Sequence, residues 1–386
     1  MNDPVLFEEL NGHSGKRIGV ATLNSPQTLN GLSLEMCQQL DARLSAWHAD
    51  DGVAAVVMRG AGDRAFSAGG DLHGLYRGML ETPAGNAWAN QAARDFFSTE
   101  YRLDYRIHTY GKPILCWGNG IVMGGGVGLL QGASHRLVTE TTRYAMPEIT
   151  IGLYPDVAGT WMLANMPRGI GLFLALTGAQ LGAADCLHYG LADRMLSAQS
   201  YADVLQGLQA LQWDARPAAH AAQVDALLDS LQITPDGSGP LQKYAAMIRQ
   251  ICNRSDLGQI AQGIGALETH EDPWLQRAAR TFLAGSPGSA RLSMALLEHA
   301  RHASLADVFR TEFIASIHCC AEPDFREGIR ALLIDKDKSP RWQPATLDQA
   351  TEQWVQRFFE APWPDGETHP LADLGLEGRP ETAETC

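Results

Sequence analysis

In the first half of the chain the apolar residues gather in short runs, Arg17 to Leu23, Val53 to Arg59, Ile114 to Trp117 and His135 to Thr139. Each run is closed by turn residues and followed by a helical spacing. Runs of that length alternating with three-to-four periodicity predict strands alternating with helices, an α/β pattern. Between Ser33 and His48, Leu34, Cys37, Leu40, Leu44 and Trp47 fall on one stripe behind a serine suited to capping, so a helix with a core-facing side is expected there. Another is expected over Ala92 to His108. Beyond residue 200 the text becomes helical. Stretches Tyr201 to Leu211, Ala218 to Leu231, Gln242 to Ile251, Asp272 to Leu283, Ser289 to Ala303 and Leu305 to Cys319 carry the pattern, punctuated by Pro217 and the Thr234-Pro235-Asp236-Gly237 turn. Glycine follows the same division, with 27 of 39 in residues 1–200. The expected organisation is a turn-rich core over 1–200, a helical region over 201–363 and a frayed tail over 364–386, with no internal repeat.

Composition narrows the class. The 386 residues are 45% hydrophobic and 19% charged, an ordinary globular balance. A formal charge of −14 without a basic cluster argues against nucleic acid as a partner. The longest apolar stretches, such as the glycine-filled Ile121 to Leu130, are about half the ~20 residues a membrane span needs. Met1 to Leu10 carries three acids and no Lys or Arg, so no leader is expected and the location expected is cytoplasmic. The seven cysteines have no Cys-x-x-Cys spacing and read as reduced, mostly core thiols, with no metal expected.

Three segments could carry chemistry. Ala65-Phe66-Ser67-Ala68-Gly69-Gly70-Asp71 is a small-residue entry to a helix starting at Leu72, with Asp71 placed to cap it. Gly118 to Gly128 is a second glycine cluster after an apolar strand. It lies too deep in the chain, with no suitably spaced acid, for a dinucleotide fingerprint. One N–H from each cluster aimed at a common point would stabilise a developing oxyanion; close backbone packing is the plainer alternative. Tyr144 to Gly159 sets Glu148 and Asp156 in apolar surroundings, and Pro147 and Pro155 predict a looped excursion between them rather than a shared helical face.

Together, in order and spacing, these segments resemble the crotonase superfamily of acyl-CoA enzymes, as does the opening Leu23-Asn24-Ser25-Pro26-Gln27-Thr28-Leu29-Asn30-Gly31-Leu32. Met146-Pro147-Glu148 with Gly152-Leu153-Tyr154-Pro155-Asp156-Val157 looks like the 3-hydroxyisobutyryl-CoA hydrolase branch, and Asp324 to Asp337 followed by Ser339-Pro340-Arg341-Trp342 closely resembles its C-terminal signature. The resemblance covers about residues 5–360.

It implies a spiral of ββα units with a helical C-terminal region that helps close the acyl pocket. It implies acyl-CoA as substrate, CoA being part of that substrate and no further cofactor being needed, and a place in valine breakdown. Matched by position, Glu148 and Asp156 are the catalytic acids, Ala68 and Gly125 the oxyanion-hole amides, and Glu100, Gly69, Gly70, Asp71 and Gly124 substrate contacts. Glu148 would act as base or as nucleophile, with Asp156 assisting. One position departs: hydratases of the superfamily carry a second glutamate twenty residues before Glu148, and here that residue is Gly128. Losing one of two acid–base groups, typically worth ~10²–10⁴, disfavours hydration. An enoyl-CoA hydratase or isomerase and a non-catalytic acyl-CoA-binding subunit stay open as alternatives, and so does a homo-oligomer.

Overall fold

A computed structural model describes residues 3–83 and 85–376. The four apolar runs form strands of one six-stranded sheet. In chain order the core contains β1 (Val5–Asn11), β2 (Arg17–Leu23), α1 (Leu34–Ala49), β3 (Val53–Gly60), β4 (Ala65–Ser67), α2 (Leu72–Glu81), α3 (Gln91–His108), β5 (Ile114–Gly118), β6 (Ile121–Met123) and α4 (Gly125–Gly132). There follow β7 (His135–Val138), β8 (Arg143–Ala145), a 3-10 turn over Glu148–Ile151, α5 (Gly159–Ala164), α6 (Ile170–Thr177), α7 (Ala183–His188) and β9 (Arg194–Met195). The large sheet has the order β1-β2-β3-β5-β7-β9, parallel except for β1 against β2; β4, β6 and β8 form a second, parallel sheet. From β3 onward the chain therefore repeats one unit, a strand for each sheet and then helix, which is the expected ββα spiral. No sequence repeat accompanies it.

The strand text follows from this topology. Ala55 and Val57 of β3 pack into a cluster with Ile18, Leu115, Leu208 and Leu228, while Val56 and Met58 enter the main core on the other side. A parallel sheet covered on both faces reads as an unbroken apolar run. Edge strand β1 has mostly exposed or half-buried side chains, and so gave no such run.

The helical region comprises α8 (Tyr201–Ala210), α9 (His220–Leu231), α10 (Pro240–Cys252), α11 (Leu257–Ala266), α12 (Pro273–Ala284), α13 (Pro287–Ala300), α14 (Leu305–Ala321) and α15 (Pro323–Ile329). Helices α8 and α9 cover the outer sheet face, whereas α14 lies on α3 and α5 and α15 on the Glu148 turn. Helix α11 was unanticipated because Gly258, Gly263 and Gly265 lower its propensity. An Asp256 cap on Gln259 N at 2.9 Å and the burial of Leu257, Ile260 and Ile264 hold it.

The expected tail requires correction. Its polar, proline-rich text suggested fraying from residue 364, yet Leu371 and Leu374 are buried and Arg102 donates to both oxygens of Asp373 at 2.6 and 2.9 Å. Two leucines and one ion pair outweigh the composition; residues 377–386 lie outside the described residues. The six described cysteines are buried free thiols, and Cys386 lies outside the described residues.

Candidate active site

The opening signature Asn24 to Leu32 serves as a cradle. Asn30, in the left-handed region, accepts from Ser25 N at 3.0 Å and donates to the carbonyls of Ala61 and Ala65 at 3.1 and 2.9 Å. The loop after β4 is threaded onto it: Ser67 Oγ donates to Asn30 O at 2.9 Å, Ala68 N to Leu29 O at 3.0 Å, Leu32 N to Gly69 O at 2.8 Å and Asp71 N to Leu32 O at 2.7 Å. One consequence corrects the sequence reading. The Ala68 N–H is committed to a carbonyl, so it is not the free donor of this loop. The Gly70 N–H meets no acceptor among the described residues. Asp71 caps α2 through His73 N and Gly74 N at 3.1 and 3.3 Å while also bordering the cavity described below.

The second loop lies directly against the first. A Cβ on Gly69 (φ 106°) would sit 3.3 Å from Met123 O and 3.4 Å from Gly125 N, and one on Gly125 would sit 3.5 Å from Gly70 N. Gly125 opens α4, so its own N–H has no partner inside that helix. The Gly70 and Gly125 amides are thus neighbours. The acids close around them: a Cβ on Gly124 (φ 52°) would lie 3.2 Å from Glu148 Oε1, and one on Gly125 only 2.5 Å from Glu100 Oε1. A side chain at 125 would have to displace the Glu100 carboxylate.

Glu148 begins the 3-10 turn that Pro147 initiates and Gly152, at φ 76°, ends. Helix α15 approaches that turn so closely that a Cβ on Gly152 would meet Asp324 O at 2.4 Å, and one on Gly328 would meet Ile151 O at 2.4 Å. The C-terminal signature therefore buttresses the Glu148 turn. Asp156 stands on the loop before α5, where its Oδ2 accepts from Tyr101 Oη at 2.7 Å.

All three acids are buried, and Glu148 Oε2 and Glu100 Oε1 have no hydrogen-bond partner among the described residues. Burial pushes Glu148 well above the usual carboxylate range, and the Asp156 charge adds to this; Glu100 is raised for the same two reasons. Asp156 is raised to about 6 by burial, with the Tyr101 bond opposing. Buried carboxylates with raised pKa beside amides that lack a backbone acceptor are what acid–base chemistry needs.

Sequence reasoning passed over Asp104, one turn beyond Glu100 on α3. The signal was present: Ala93, Phe96, Phe97, Glu100, Asp104 and Ile107 form one buried stripe, so two acids sit on an apolar face. Neither Asp104 oxygen has a partner among the described residues, and burial, then Glu100, pushes its pKa well up. Asp104 and Val157 also fill the place a side chain at 128 would need, since a Cβ there would lie 2.9 Å from Asp104 Oδ2 and 2.7 Å from Val157 Cβ.

An aspartate with a raised folded-state pKa binds its proton more tightly folded than unfolded. Its contribution to stability is therefore full at low pH and is lost as pH rises from the ordinary value, about 3.9, through the folded one. Asp104→Asn removes that loss, and its apparent Tm is expected about 1–4 °C above the parent at pH 8, with a smaller gain at pH 5. A lower Tm at pH 8 in calorimetry contradicts this account.

A cavity of about 690 Å3 joins these elements; Gly70, Gly125, Glu100, Glu148 and Asp156 border it, and Leu333 of the C-terminal region closes one side. A larger cleft, about 1080 Å3, lies along α13, between the α5–α6 connection, the residues just after α10 and residues 352–359, and contains none of these acids or glycine loops.

Strands shared alternately between two sheets, with paired glycine loops and buried acids facing one cavity, define a crotonase-type fold. The chain belongs to the enoyl-CoA hydratase/isomerase family, whose model matches residues 18–359. Among curated relatives, 3-hydroxyisobutyryl-CoA hydrolase, mitochondrial, of Danio rerio is 36% identical, covering 92% of this chain and 89% of that protein. The Homo sapiens protein of the same name is 32% identical, covering 89% and 86%.

Among solved structures, a carnitinyl-CoA dehydratase from Mycobacterium thermoresistibile has a TM-score of 0.82 at 34% identity, covering 98% of this chain and all of that one. An enoyl-CoA hydratase from Rhodobacter sphaeroides has 0.78 at 31%, covering 92% and 97%. The mitochondrial location in the relatives' names does not fit the expected cytoplasmic one. Among the described residues no helix is long and apolar enough to cross a membrane.

Proposed function

We propose that the chain hydrolyses an acyl-CoA thioester, with 3-hydroxyisobutyryl-CoA as substrate and 3-hydroxyisobutyrate and CoA as products, a step of valine catabolism. The observation that carries this reading is the meeting of Glu148 with the open Gly70 and Gly125 amides in one cavity. A thioester carbonyl held by those two N–H groups has its carbon beside the carboxylate. In the general-base route, water attacks that carbon as Glu148 takes its proton, and the negative charge gathers on the oxygen between the amides. The C–S bond then breaks, the electrons leave on sulfur, and the proton on Glu148 returns to the thiolate or to solvent. In the nucleophilic route a Glu148 oxygen attacks the carbonyl carbon, the C–S bond breaks as the thiolate leaves, and water later cleaves the resulting anhydride to free the acid and Glu148; both routes need Glu148 ionised. Asp156 orients the water or tunes Glu148. A thiolate leaves with a conjugate-acid pKa of about 8.5 and asks for little protonation, so one acid suffices.

Relatives named as hydrolases support this substrate class. The hydratase and dehydratase names of the solved structures favour the other reading. Against it, position 128 carries no acid, and the space for one is filled by Asp104 and Val157. Free-thiol release measured across 3-hydroxyacyl-, enoyl- and saturated acyl-CoA tests the proposal, and the 3-hydroxyisobutyryl ester is expected to be fastest. Loss of enoyl absorbance without thiol would support the hydratase instead, and binding without either reaction would support a silent acyl-CoA-binding subunit.

A further inference from the structure

The turn that carries Asp156 is strained. Val157 and Ala158 have φ of 54° and 62°, two consecutive non-glycine residues in the left-handed region, and the first is β-branched. A β-branched residue there is a true outlier, and it persists only where its surroundings over-determine it. What holds this turn comes from the C-terminal region. Glu312, fully buried on α14, accepts from Ala158 N at 2.8 Å through Oε2, and through Oε1 from Thr160 N at 3.2 Å and the Thr160 hydroxyl. Its carbonyl accepts from Tyr154 Oη at 2.6 Å. One turn along the same helix, Ser316 Oγ lies 2.8 Å from both the Tyr154 and the Tyr101 phenol oxygens, and Tyr101 holds the Asp156 carboxylate. Helix α14 thus grips the residues two before and two after Asp156 and, through Tyr101, its side chain.

We propose that Glu312 is a positioning residue, its carboxylate holding the left-handed Val157–Ala158 turn that aims Asp156 into the acyl cavity. The inference rests on the hydrolase reading for its consequence in turnover, and on geometry alone for the grip. The helical region then supplies part of the chemistry's precision as well as a wall of the pocket. Nothing in this role requires Glu312 to touch substrate, and it is absent from the residues bordering the cavity.

In Glu312→Gln one acceptor oxygen becomes an amide that faces the Thr160 donors, and kcat is expected to fall about 10–100-fold with KM within about threefold. In an Asp156→Asn background the same substitution is expected to cost almost nothing more, because it acts through Asp156. Adding Ala158→Gly, which relieves the left-handed strain, is expected to recover part of the lost kcat. Wild-type kcat in Glu312→Gln, losses that multiply in the double variant, or failure of the glycine rescue would each overturn the proposal. If Glu312→Gln does not fold, Thr160→Val and Ser316→Ala each remove one hydroxyl and are expected to show the same non-additivity with Asp156→Asn on a smaller scale; multiplying losses overturn it.

Amide hydrogen exchange at Ala158 and Thr160 reads the grip without any substrate. Faster exchange in Glu312→Gln supports it, and unchanged exchange overturns it whatever the chain hydrolyses. A wild-type chain that releases thiol from no acyl-CoA, by contrast, sinks the hydrolase reading and leaves the exchange result standing.

Discussion

Glu148→Gln is expected to lower thiol release by about 10²–10⁴ or more, while the fold and acyl-CoA affinity stay close to the parent's. Glu148 is enclosed, its Oε2 has no partner among the described residues, and its charged form is disfavoured by the lack of solvent and by Asp156. Glutamine keeps the shape and removes a charge that the pocket tolerates poorly, so stability has little to lose. On the proposed mechanism the substitution removes the group that accepts the water's proton or attacks the carbonyl. Full activity in single-turnover thiol release would refute the assignment. Oxygen-18 appearing in Glu148 after turnover in labelled water would select the nucleophilic route.

The pH dependence of the parent follows from the same environment. On the proposed mechanism Glu148 works ionised, so kcat/KM is expected to rise with pH, with an inflection above the ordinary carboxylate range from Glu148 and one near 6 from Asp156. Asp156→Asn deletes that component. It also removes a negative neighbour that holds Glu148 up, so the remaining inflection moves to lower pH.

The second large effect separates two amides of one loop. Replacing the Gly70 N–H by an ester oxygen, through glycolic acid at that position, is expected to reduce kcat about 10²–10³-fold, the usual cost of one oxyanion donor. The same change at position 68, through lactic acid, breaks the bond to Leu29 O and is expected to appear in Tm, at a cost of about 1 kcal/mol, with a far smaller effect on kcat. The ester at 70 also weakens the Gly69 carbonyl as acceptor for Leu32 N, a structural cost that Tm reads separately. Equal kcat at 70 and loss at 68 would restore Ala68 as the donor.

Much of the frame was legible because it is local. The β3 run reads as a strand because both faces are covered, and α1 starts where Ser33 accepts from Met36 N at 3.2 Å, as the stripe behind it required. Pro147 and Pro155 correctly separated Glu148 from Asp156, because proline acts on its own neighbours. The two acids on the buried stripe of α3 could also have been found, and Asp104 was passed over only because acids on a helix are usually solvated.

What sequence by itself determined was the α/β alternation of the first half and the helical second half, the pair of glycine loops and the candidate acids, all carried by period, turn chemistry and motif spacing. Tertiary structure alone decided which amide remains free. Ala68 and Gly70 are chemically alike, and only the Leu29 carbonyl arriving from a distant turn consumes one of them. It likewise decided that Asp104 fills the space at 128, that Leu371 and Leu374 anchor the expected tail, and that Glu312 holds a strained turn elsewhere in the chain. Hydrogen bonds and excluded volume between remote segments have no period to read, so those choices become visible only once the segments touch.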